Sequence, residues 1–453
     1  MRFHLFLAVV VLGAGVGFVF SAFSTHDFVV HLDRQVHGIH CTFLPGIVAT
    51  DATGASGCHT TMMSPYSSVL RDRYWGGIPV SLPGMSVFAF LLFWSMTMLV
   101  TGRHRDPRAA GYLLLATLVP VGTSVAMGYI AFATLDAVCK TCIGIYAASG
   151  VVFLGAMALT AAATSAARRG REPVRHEPAF ASDEPAFLSG EPAGDVGVTP
   201  EPEPEPMERD EKPPLAVWKL VAATLLGVAF VFVPIGAYAV SVPDFQTYTQ
   251  GCGTLPDTRD THRILVPIGK TTGRIDAIQV LDPLCSACRA FEGRLEASPA
   301  AARLRRKALV FPLDSECNWM IDRSVHPGAC AVSEAVLCAG EDAQRVLDWA
   351  FEEQERISAA GAEAPEKARQ IVTERFPELG DCLGSAAVKA RLNQSLRWAV
   401  RNQLPILAPQ LYVSGVKLCD EDTDLGLEYM LPRLITHVEH APRPSRGTER
   451  RAP

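Results

Sequence analysis

Residues 135–155 read LDAVCKTCIGIYAASGVVFLG, a Cys-x-x-Cys pair (Cys139, Cys142) set at the mouth of a long apolar run. No Asp, Glu, Lys or Arg interrupts the chain from Thr141 to Ala167. At ~1.5 Å per residue such a run crosses the ~30 Å hydrocarbon layer as one helix. A dithiol therefore opens a transmembrane span. The helix N-terminus turns partial positive charge toward the sulfurs and favours the thiolate, the nucleophile of disulfide exchange. A lipid-soluble oxidant reaches the same depth. Taken alone, the four residues also read as a structural disulfide or half a zinc site.

Working outward, four more stretches lack charge: Leu5–Thr25, Tyr74–Gly102, Ala109–Leu135 and Leu220–Pro243. With 49% apolar and 19% charged residues among 453, the composition is that of a membrane protein. A net charge of −6, without basic–aromatic interleaving, excludes a nucleic-acid footprint. Ser21-Ala22-Phe23 offers small residues at the end of the first run, as a cleaved signal peptide would, but the run's length predicts a retained helix. Arg103, Arg105 and Arg108, then Arg168, Arg169, Arg171 and Arg175, then Lys212 and Lys219, mark cytoplasmic segments. The 25–73 loop, the turn around Cys139 and everything after Pro243 then fall on the outer side. Residues 168–215, with Glu-Pro repeats at 201–206, read as a disordered cytoplasmic linker leading to a fifth span at 216–243.

Twelve cysteines point to an oxidising compartment. After the fifth span, runs at Arg263–Gly269 and Arg274–Leu281 read as strands, followed by Asp282-Pro283-Leu284-Cys285-Ser286-Ala287-Cys288 and a helical pattern. A strand followed by Cys-x-x-Cys at a helix start is the thioredoxin arrangement, with Cys285 attacking and Cys288 resolving. Lys307–Leu313 reads as a further strand, and about ninety Ala/Glu/Arg/Leu-rich residues follow it. Six cysteines (252, 317, 330, 338, 382 and 419) are left as structural disulfides of unassigned pairing, chiefly stapling the helices of that stretch. Cys330 and Cys338, eight apart in one helical run, cannot bridge each other.

The outer loop carries Cys41 and Cys58, then Ser64-Pro65-Tyr66-Ser67, then Gly77-Ile78-Pro79-Val80 leading into the second span. With the dithiol that opens the fourth span, this order over residues 5–165 resembles the vitamin K epoxide reductase (VKOR) family. The resemblance implies a four-helix bundle around a quinone of ubiquinone, menaquinone or vitamin K type. It also implies a loop pair Cys41/Cys58, exchange of Cys58 with Cys139, Cys142 facing the quinone, and Ser64 positioning or polarising the quinone carbonyl. Ile406–Gly415, with Pro409 before a strand, resembles the cis-proline loop of thioredoxin-like proteins of the DsbA branch. That likeness places Pro409 beside Cys285, and the Ala408 backbone where it pairs with bound peptide.

The expected fold is an α-helical membrane bundle, a four-helix VKOR-like core plus a fifth spanning helix, joined to an α/β thioredoxin-like domain with a helical insertion. The units are 1–167, the linker at 168–215, the fifth helix at 216–243, the extracytoplasmic domain at 244–440 and a disordered tail at 441–453. The expected function is quinone-dependent protein disulfide formation at a bacterial inner membrane, with the soluble domain on the periplasmic side. Electrons would pass from reduced secreted proteins through Cys285/Cys288, Cys41/Cys58 and Cys139/Cys142 to the quinone pool. Two other readings stand beside it: a system that keeps the soluble domain reduced for isomerase or reductase work, and a non-catalytic metal-binding membrane protein. For the last, His26, His31, His37, His40 and His59 with the loop cysteines could make a zinc site, though their spacing matches no finger pattern. Solvated histidines and no bound metal are the expectation.

Overall fold

The computed structural model describes residues 2–34, 41, 57–135, 137–169, 214–269 and 272–440. The linker, apart from its ends, and the tail at 441–453 lie outside these residues, as do His37 and His40.

Among the described residues, five helices are long and apolar enough to span a membrane: α1 (Arg2–Val30), α3 (Ser81–Val100), α4 (Pro107–Tyr129), α5 (Lys140–Arg169) and α6 (Val217–Ser241). A short α2 (Gly57–Met62) precedes α3. Their apolar side chains point both inward and outward, as they must where lipid replaces water. Leu7, Val10, Phe88, Leu91, Val152 and Leu159 fill the interior, while Leu12, Leu115, Leu154 and Phe232 stay exposed. Asp106 caps α4, accepting from the Arg108 amide at 2.9 Å, and its other oxygen accepts from Leu215 N at 2.7 Å, which fixes the approach to α6. The α4 helix ends in a π-helical turn at Ile130–Thr134 just before Cys139.

The uncharged stretch from Tyr74 is not helical throughout. Residues 68–80 instead fold back before α3, with β1 (Ser68–Val69) pairing antiparallel to β2 (Ile78–Pro79). Gly77 makes the return possible. It adopts φ +75°, and a Cβ there would lie 2.5 Å from the Val69 carbonyl oxygen.

The part after α6 is built on a five-stranded sheet of order β3-β5-β4-β6-β7. Its strands are β3 (Val266–Pro267), β4 (Ile275–Leu281), β5 (Leu304–Val310), β6 (Gln410–Val413) and β7 (Val416–Lys417). Only β4 and β5 run parallel, joined by a crossover through α7 (Ser286–Ala297). Between β5 and β6 come α8 (Ala329–Ala339), α9 (Ala343–Glu352), α10 (Gln354–Glu363), α11 (Pro365–Arg375) and α12 (Ala386–Arg401), and α13 (Leu427–His440) ends the described chain. Alternation along β4 sorts the core. Ile278 and Val280 meet Leu396 and Trp398 of α12, while Ile275 and Ala277 join Phe291 of α7 and Leu431 of α13. Strand β5 starts three residues earlier than its hydrophobic run suggests, because Leu304, Arg305 and Arg306 extend the parallel pairing with β4.

Candidate redox site

Three cysteines converge on one cavity in the helix bundle. The cavity holds about 520 Å³ and is lined by side chains of all five spanning helices and α2, among them Cys58, Cys139, Cys142, Phe88, Tyr146 and Phe232. In this structure Cys41–Cys58 and Cys139–Cys142 are disulfides. Close approach of the two segments depends on Gly57. A Cβ on that residue would sit 2.3 Å from the Val138 carbonyl oxygen, so α2 lies directly against the residue preceding Cys139. The Cys142 amide points back at Cys139 Sγ at 3.2 Å, the start-of-helix geometry that stabilises a thiolate there. One turn on, Tyr146 follows Cys142 at i+4, so both share the helix face that lines the cavity. The spacing was readable in the sequence, but nothing distinguished this tyrosine from other apolar-face residues until the cavity was seen.

Ser64 is not brought to this cavity. It is buried, its hydroxyl donates to Thr61 O at 2.8 Å, and Thr61 and Ser67 line the wall instead. The Ser64 carbonyl is held by the buried guanidinium of Arg71, which also reaches Ser67 Oγ at 2.9 Å and Ser68 Oγ at 2.6 Å. The turn that shapes the cavity mouth is thus built on Arg71. Of the loop histidines, His31 is engaged elsewhere, 2.9 Å from Asp424.

The second dithiol lies in the soluble part. Cys285 precedes the first turn of α7, and both Cys285 and Cys288 are buried thiols. The Ala408–Pro409 peptide is cis, and Cys285 Sγ lies 3.7 Å from the Ala408 carbonyl oxygen. Gln354 of α10 donates to the Cys285 carbonyl at 3.0 Å, anchoring the turn from the helical stretch. The Cys288 thiol donating to Cys285 holds the Cys285 thiol below the ordinary range, whereas burial pushes Cys288 well above it. One sulfur is therefore set to attack or leave, and the other to wait.

The remaining six cysteines pair as Cys252–Cys419, Cys317–Cys330 and Cys338–Cys382. The last ties α8 to the turn before α12. The first departs from the expected pattern, because it joins the segment after α6 to the end of the sheet rather than stapling inserted helices.

The soluble part is docked on the bundle through polar contacts from 419–433. Arg34 meets Asp422 at 2.8 Å, and the Trp75 indole donates to the same carboxylate at 2.6 Å. Arg294 of α7 donates across the contact to Met63 O at 3.4 Å and, on its own side, to Thr423 O at 3.0 Å. Within the bundle, Tyr238 of α6 donates to Gly77 O at 2.9 Å. Cys41 and Cys58 pack in the same apolar cluster as Phe291 and Leu295 of α7, the helix that begins at the second dithiol.

Residues 8–162 match the vitamin K epoxide reductase family. No curated protein matches the chain. The VKOR-family region takes in the loop pair, the membrane dithiol and four of the five spanning helices. With the five candidate spanning helices, this match over about a third of the chain supports a multi-pass membrane oxidoreductase. The sheet-containing remainder is compatible with a redox partner domain.

Proposed function

We propose that this protein forms disulfide bonds in secreted proteins and delivers the electrons to a membrane quinone. The reading rests chiefly on the convergence of Cys58, Cys139 and Cys142 on one apolar cavity. The cavity fits a quinone: its wall is largely aromatic and aliphatic, and Tyr146 supplies a phenol within the same chamber. Bound there, a quinone accepts two electrons and two protons. The chain's own contribution is to hold Cys142 on the cavity wall, exclude water with Phe28, Phe88 and Phe232, and offer the Tyr146 hydroxyl to a carbonyl.

The exchange sequence follows from thiolate chemistry. Oxidised Cys285–Cys288 takes two electrons from a substrate dithiol, Cys285 being the sulfur attacked. Reduced Cys285 then attacks the Cys41–Cys58 disulfide, and Cys288 closes the soluble pair again. Cys58, freed as a thiolate, attacks Cys139 and releases Cys142. The Cys41 thiolate then attacks Cys58, which re-forms the loop disulfide, breaks the Cys58–Cys139 bond and leaves Cys139 and Cys142 holding the two electrons. The sheet order, the cis Ala408–Pro409 bond next to Cys285 and the Cys-x-x-Cys at a helix start support a thioredoxin-like reading of residues 244–440. Basic residues at 103–108, 168–175 and 212–219 support an outward-facing soluble domain, periplasmic in a bacterial inner membrane.

The test is dithiol-driven reduction of a soluble quinone by the purified full-length protein. Cys139→Ala and Cys142→Ala are expected to bring the rate to background. Unchanged rates in both variants would overturn the proposal.

A further inference from the structure

The loop between β5 and α8 is built more firmly than a connection needs. Cys317–Cys330 closes it covalently. Inside, buried Asp314 accepts from Ser324 Oγ at 2.7 Å, Gly328 N at 2.9 Å and Cys330 N at 3.3 Å. The amides of Val325 and His326 both donate to Leu313 O, at 2.8 and 3.0 Å. The product of this bracing is the position of His326, whose Nδ1 lies 2.8 Å from Asp282 Oδ2. Asp282 is fully buried, three residues before Cys285, and is itself fixed by the amides of Leu284 at 2.7 Å and Leu313 at 2.6 Å. A partly exposed imidazole is thereby clamped, from a segment outside the Cys-x-x-Cys turn, to the buried carboxylate three residues before Cys285.

We propose that His326 is a positioning residue for the Cys285–Cys288 pair, held by Asp282 as an imidazolium whose charge stabilises the Cys285 thiolate whenever that sulfur leaves. This rests on the disulfide-exchange reading above. A substrate thiolate attacks Cys285 Sγ; the Cys285–Cys288 bond breaks, and Cys288 leaves with the electron pair and takes up a proton as a buried thiol. The substrate's second thiolate then attacks its own mixed-disulfide sulfur. The substrate disulfide forms, the bond to Cys285 breaks, and Cys285 departs as a thiolate beside His326. Two electrons have moved to the cysteine pair, which holds one proton, and the substrate's other proton goes to solvent.

The groups facing His326 are Asp282 from the turn after β4, Cys285 from the start of α7, and Asp314 from the base of its own loop. All three favour the charged ring, and against the burial that opposes them they hold His326 above the ordinary histidine range. The same ring acts on Cys285 in the direction of a lower thiol pKa, opposing Asp282, which acts to raise it. Without His326, the buried Asp282 carboxylate would confront the thiolate alone.

The test is the pH profile of Cys285 alkylation in the reduced full-length protein, followed by peptide mass mapping. It is read alongside the equilibrium of the Cys285–Cys288 pair with glutathione. His326→Gln keeps a donor for Asp282 but no charge. The midpoint should rise by about one unit, the smallest shift typical of losing a neighbouring opposite charge, with an equilibrium about tenfold less oxidising. His326→Ala should move both readouts the same way. A wild-type midpoint in His326→Gln, whether or not His326→Ala shifts, would show that only the packing matters and overturn the proposal. Alkylation requires no quinone, so this result stands apart from the quinone-reduction assay. A wild-type protein that fails that assay refutes the relay and leaves the thiol chemistry to be judged separately.

Discussion

Burial divides the two sulfurs of the soluble pair. Cys285 accepts from Cys288 and carries the lowered pKa; Cys288, with no exposed surface, carries the raised one. Alkylation of the reduced protein should therefore modify Cys285 at a pH below the ordinary thiol range and leave Cys288 untouched there. Mass mapping that finds Cys288 labelled first would contradict this. His326 adds a pH dependence of its own. Its folded pKa is raised, so the Asp282 contact contributes fully below the unfolded value near 6.5 and fades as pH rises through the folded one. Thermal unfolding of the soluble part should show that slope, and His326→Gln should flatten it. The cysteines were legible from the start because their Cys-x-x-Cys spacing is local. Asp282 and His326 were not, since forty-four residues separate them and only folding brings them together. Ser64 shows how local contacts stay unreadable: motif order pointed to it, and only the fold shows its hydroxyl donating to the Thr61 carbonyl three residues back.

Among the elements, the spanning helices were the most legible, since charge-free runs of such length admit few other structures in a membrane. The β1–β2 return was half hidden: β1 and the charged Arg71-Asp72-Arg73 turn lie before the run, but β2 lies inside it, where only the paired glycines at 76 and 77 hint that the helix has not yet begun. The short α2 has a function that depends on what is missing from it. Gly57→Val should push Cys58 away from Cys139 and lower dithiol-driven quinone reduction at least tenfold, while Gly111→Ala, where a Cβ meets nothing within 4 Å, should not. Equal rates for the two variants would show that the α2 contact is dispensable. In the soluble part, Cys338–Cys382 spans forty-four residues of helices. Replacing both with Ala should destabilise that region by about 2–5 kcal/mol, read as a lower denaturant midpoint.

On the scale of the whole molecule, the docking surface was invisible in the sequence. Arg34 and Asp422 are 388 positions apart, and each looks like an ordinary loop charge until they meet. Both are buried at the contact, and burial already pushes the Asp422 carboxyl up to about 7, so Arg34→Ala removes the cation that favours its charged form and weakens the docking. The variant should lose protein-dithiol-driven turnover while a small dithiol still reduces the membrane disulfides directly. If both activities persist, docking through 419–433 has no part in electron transfer. The Cys252–Cys419 bridge adds a kinetic consequence. It fastens the end of the sheet to the segment just beyond α6, so the two redox centres belong to one short tether. Encounter between them is then governed by an effective molarity set by that tether, not by how much protein the membrane contains. Turnover per molecule should be indifferent to dilution in lipid, and a freely diffusing thiol carrier should compete poorly for the loop disulfide.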